Sequence, residues 1–127
     1  MSNPYLTAFN NQFNEFFEEI IKLFPSDVDI VNTKNSLQLM KKMNPRLIIL
    51  CWKDFIAKPY GEEIEKGGID FFISKDYSKD IKNLDNTDKI LEVIDRLRKP
   101  LSLLHEDDKK TAMQYLVNLT KLSLLYN

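Results

Sequence analysis

Through the N-terminal segment the apolar positions recur at steps of three and four: Leu6, Phe9, Phe13, Phe16, Phe17, Ile20 and Phe24. On a helix turning every ~3.6 residues they form one stripe. Asn10, Asn11, Asn14, Glu15, Glu18 and Glu19 take most of the opposite side. Asn3 supplies a capping side chain and Pro4 suits the first helical position, so a helix is predicted over residues 4–24. Pro25 stops it. Asp27 can cap a second helix to Met43, whose stripe of Ile30, Leu37 and Met40 is weaker. Val28, Val31, Leu39 and Met43 blur that stripe by widening the apolar face.

The pattern changes at Asn44. Leu47, Ile48, Ile49, Leu50, Cys51 and Trp52 run without a polar break, and Phe55 and Ile56 follow one turn later. An element apolar on every side belongs in the middle of a fold. A buried strand fits six apolar residues equally well. Three features favour a helix: Asn44 as cap, Pro45 at the first turn, and an apolar pattern that outlasts a normal strand. The sequence therefore predicts a central helix near residues 45–58, with Cys51 sealed from solvent. Pro59 either ends it or kinks it before it resumes through Lys66. The spacing of Tyr60 and Ile64 favours the kink.

Beyond Gly67-Gly68, residues Ile69 to Ile73 read as a short helix or an irregular plug, and Ser74 to Asn86 as the longest exposed loop. Asn86 or Thr87 opens a further helix carrying Ile90, Leu91, Val93, Ile94 and Leu97, interrupted by Pro100. Asp107 is the predicted cap of a last helix, from Asp108 to about Leu125. The predicted fold is all-α, a single domain over residues 1–127: an irregular bundle of five main helices with one short extra helix.

Composition adjusts this picture little. The chain has 127 residues, 43% hydrophobic and 29% charged, as expected of a globular domain. Three glycines leave no Gly-rich phosphate loop. A net charge of −1 gives no long-range pull toward nucleic acid or an anionic membrane. One cysteine excludes an internal disulfide and fits a reducing compartment. With no leader-like N-terminus and no run of ~20 apolar residues, the expectation is a soluble cytoplasmic protein without a membrane partner.

No catalytic, cofactor-binding or metal-binding residues are predicted. His105 lies beside Glu106, Asp107 and Asp108, but no second histidine exists to complete a metal shell. Cys51 sits in the most apolar stretch, where a thiol packs as a small hydrophobe, which argues against a Cys51–His105 catalytic pair. Asp76, Asp80, Asp85 and Asp88 lack calcium-loop spacing. Lys41, Lys42, Arg46 and Lys53, with Lys34 nearby, and separately Arg96, Arg98 and Lys99, could touch phosphate. Each group is interleaved with or followed by acids, as on ordinary solvated faces. The tail is apolar on more than one side and has to dock, on its own core or on a partner, and its own domain is the favoured place. Two faces are hard to bury at a chain end, so Leu124, Leu125 and Tyr126 are candidate protein contacts, with Tyr77 in the long loop.

Asn44-Pro45-Arg46, Trp52, Tyr60 with Ile64, Phe71-Phe72, Asp76-Tyr77-Ser78, Ile94 with Leu97-Arg98, and the closing run from Asn118 to Tyr126 form one combination. It resembles small uncharacterised proteins of large nucleocytoplasmic DNA viruses of algae and protists, over nearly the whole chain. Pro59 departs from that pattern. The resemblance implies a setting, virion or host cytoplasm, and no activity. The reading from sequence is a non-enzymatic protein-interaction or self-association module, viral structural or accessory. The alternative is an accessory nucleic-acid-binding protein using Lys41, Lys42, Arg46 and Lys53.

Overall fold

A computed structural model describes residues 3–67, 69–74 and 92–126. The fold is all-α, and no strand occurs among the described residues. The helices are α1 (Pro4–Leu23), α2 (Val28–Met43), α3 (Leu47–Trp52), α4 (Lys58–Gly67) and α5 (Ile69–Ser74). They are followed by α6, described over 92–96, then α7 (Arg98–Ser102) and α8 (Glu106–Leu125).

Local chemistry sets the helix starts. Asn3 Oδ1 accepts from the amides of Tyr5 and Leu6 at 2.9 and 3.4 Å, and Asp27 Oδ1 accepts from Ile30 at 3.3 Å. Each satisfies donors that the first turn leaves open. At α8 the cap is His105, with no side-chain bond, in place of the expected Asp107. Glu106, Asp107 and Asp108 lie inside the first turn, where their charges oppose the positive end of the helix dipole.

The stretch around Trp52 is helical, as its length foretells. It starts at Leu47, with Arg46 at the cap position and no side-chain cap bond. Asn44 and Pro45 are therefore not its predicted cap and first residue: Asn44 ends α2 and Pro45 lies in the turn. Asn44 Oδ1 accepts from Arg46 N at 3.1 Å, and Leu47 N donates to Asn44 O at 3.2 Å, which makes a tight corner between α2 and α3. From Leu47 the helix runs on through a wide π segment, Lys53–Ala57, into α4. There Lys58 N–H donates to Lys53 O, five residues back. That wider turn falls just before Pro59, whose ring in a regular helix would meet the Phe55 carbonyl. The predicted kink is thus absorbed as a π turn. Pro100 acts differently. The chain breaks at Leu97, and Pro100 takes the third position of α7, within the first turn, where a helix needs no amide donor.

Trp52, 0% exposed, marks the centre of the core. Phe9 and Phe13 of α1 meet its ring edge-on at 6.2 and 6.1 Å, and Phe72 of α5 stacks on it at 6.1 Å. Its indole Nε1 donates to Thr120 Oγ1 of α8 at 3.1 Å, and that hydroxyl donates in turn to Leu116 O at 2.8 Å. One residue of the central helix thereby binds three other helices. α1 packs most extensively on α8. Cys51 is buried beside Trp52, while Leu50, at 41% exposed, is the exception to an element expected to be apolar on all sides because it is covered on all sides.

α2 is attached more lightly. It buries only Ile30, Thr33 and Leu37. Its seam with α1 is largely polar: Gln38 Nε2 donates to Asn14 Oδ1 at 2.7 Å, and Lys34 pairs with Glu18 at 3.2 Å.

Candidate functional site

α2 ends in Lys41 and Lys42, cations suited to the negative end of its dipole, and Arg46 follows at the Asn44–Arg46 corner. Asn10 of α1 pins that corner: its Nδ2 donates to Pro45 O at 3.1 Å. Between the corner and the first turns of α1 lies a cleft of about 590 Å³. Its lining combines the three cations with the side-chain hydrogen-bonding groups of Asn3, Thr7, Asn10 and Asn11, and with Leu6, Pro45 and Tyr126. Among the described residues no carboxylate side chain lines it. The cleft volume lies within the ~300–1,000 Å³ of typical ligand sites.

Unpaired cations occur elsewhere on the described surface, Lys66 and Lys110 among them, but here three of them line one cleft. Lys22, Lys34, Lys58, Arg98 and Lys109 each pair with a carboxylate. Among the described residues Lys41, Lys42 and Arg46 make no such pair. Lys53, grouped with them in the sequence, is committed elsewhere. Its Nζ donates to Tyr126 O at 2.5 Å, satisfying a carbonyl at the end of α8. Asn10 Oδ1 is buried without a hydrogen-bond partner.

Compared with known protein families, curated proteins and solved structures, the chain matches none. The geometry alone therefore carries the functional argument.

A second surface is the outward side of α2. Val28, Asn32, Asn35, Leu39 and Met43 lie on one side of that helix and are all exposed. Val28 is 66%, Leu39 64% and Met43 81% exposed. These are three of the four residues that blur the α2 stripe in the sequence. The reason is visible here: they face away from the core.

The predicted contact residues separate. Leu124 and Leu125 are exposed near the end of α8, whereas Tyr126 is 4% exposed and packs into the core. A contact through the Tyr126 side chain would require that packing to open. Tyr77 and the four aspartates considered for calcium lie outside the described residues. Of the second basic group, Arg98 closes α5: its Nε donates to Ile73 O at 2.7 Å and Nη2 to Ser74 O at 3.2 Å. Cys51 is buried in the core, and His105 is exposed at the start of α8. Among the described residues no group of three or more His, Cys, Asp or Glu side chains could hold a metal, and no helix is long and apolar enough to cross a membrane.

Proposed function

We infer that this chain is a non-enzymatic assembly module that associates with a second copy of itself through the outward face of α2. The observation that carries this reading is the uncharged strip Val28, Asn32, Asn35, Leu39 and Met43, exposed along the length of one helix. Solvated helix faces normally carry charges, and charge depletion with methionine enrichment marks interface centres. An uncharged face can meet its own copy without like-charge repulsion, unlike the outer side of α1 with Glu15 and Glu18. A helix pair of this length buries less than the ~800 Å² per partner of a standard interface, so the association is weak and concentration-dependent. The viral resemblance would set such assembly in a virion or a host cytoplasm.

Light scattering after size exclusion tests it. The 15.0 kDa chain should approach twice that mass as concentration rises, and Leu39→Lys with Met43→Lys should hold it monomeric. A chain that stays monomeric at high concentration, or whose association ignores both substitutions, contradicts the reading.

A further inference from the structure

Independently of the α2 face, we propose that the cleft between α1 and the α2–α3 corner binds a nucleoside phosphate, free or within a single strand. Lys41, Lys42 and Arg46 converge on one wall, and no described carboxylate pairs with any of them. Cations left without acidic partners around a concave site favour a multiply charged anion. The planar guanidinium of Arg46 suits two phosphate oxygens at once. A bare inorganic anion would leave most of the cleft unused. The rest of the lining is mixed: Leu6 and Pro45 are apolar, Tyr126 borders the cleft from the core, and Asn3, Thr7, Asn10 and Asn11 hydrogen-bond without charge. That is the complement of a base and sugar attached to phosphate. Long-range attraction contributes little, because the whole chain carries a net charge of −1. Binding therefore depends on these particular side chains.

The probes are ATP and AMP, followed by titration calorimetry, and a fluorescein-labelled deoxythymidine oligomer about twelve nucleotides long, followed by anisotropy. If three phosphates of the oligomer are neutralised, its affinity should fall roughly 20-fold on raising salt from about 50 to 200 mM. ATP binding tighter than AMP, with the oligomer silent, assigns the site to free nucleotides. The oligomer binding alone assigns it to a polymer. In either case Lys41→Glu with Arg46→Glu should weaken binding at least tenfold. Lys66→Glu with Lys110→Glu, an equal charge change away from the cleft, should alter it less than threefold. Arg46→Gln alone, at an exposed residue, should weaken binding without disturbing the fold. No binding by any probe, equal loss in the two double variants, or displacement of the oligomer by poly-glutamate as readily as by unlabelled oligomer overturns the proposal.

Discussion

Thr120 holds a hydroxyl in the core, 0% exposed. It accepts from the Trp52 indole and donates to the Leu116 carbonyl, so both polar ends are satisfied. Thr120→Val keeps the shape and leaves the indole N–H buried without a partner, a loss of about 1–3 kcal/mol. Thr120→Ser keeps the hydroxyl and should cost less than Thr120→Val; urea titration of both separates the hydrogen bond from the packing. Tyr115 gives a pH-dependent counterpart. Its ring lies 5.5 Å from Phe16, and burial raises its phenol above the ordinary 10.0, with Glu15 and Glu19 adding to the rise and Lys22 opposing it. Below pH 10 the phenol is neutral in both states and has no effect on the balance. Above it the unfolded chain loses this proton first, so stability falls as pH rises through the elevated folded value. Urea midpoints between pH 8 and 11 should therefore drop more for the natural chain than for Tyr115→Phe.

At the level of elements, α1 was legible because phenylalanines fill one stripe and amides and carboxylates fill the other. The central helix was legible through the length of its apolar run, whereas Asn44 and Pro45 mark the corner before it and not its cap and first residue. Its π segment was not, since the sequence shows only that Pro59 needs accommodation, not which turn widens. α2 was half legible: its surplus apolar residues are evident in sequence, but their outward direction depends on which side α1 covers. The cationic wall also carried an unused signal. Every charged residue between Asp29 and Asp54 is basic, and no charged residue precedes Glu15. Two acid-free segments are what packing brings together at the cleft. The contribution of Tyr126 arises from α8 folding back, which no local pattern encodes. Gly61 offers a test within α4. A Cβ there would meet Thr120 Cγ2 at 3.6 Å, an ordinary contact, so Gly61→Ala should stabilise by about 0.5–1 kcal/mol through helix propensity, read as a higher urea midpoint.

Across the whole molecule, stability is divided unevenly. α1, the central helix and α8 share the aromatic centre, whereas α2 is held by three buried side chains and a polar seam. Segments with few buried apolar contacts open below the global unfolding free energy. Native-state hydrogen exchange should accordingly find α2 amides exchanging through local opening, and α1 and α8 amides only through global unfolding. A loosely attached helix with an uncharged outer face is the part of the molecule best able to adjust to a second copy. The central claim, on which both proposed surfaces rest, is that Trp52 closes the core where α1, α5 and α8 meet. Trp52 is the only tryptophan, so acrylamide quenching of its fluorescence reports on that claim directly. The indole should stay shielded, with blue-shifted emission, until urea unfolds the chain in a single transition. Emission and quenching like those of a free indole in the native chain would contradict the arrangement.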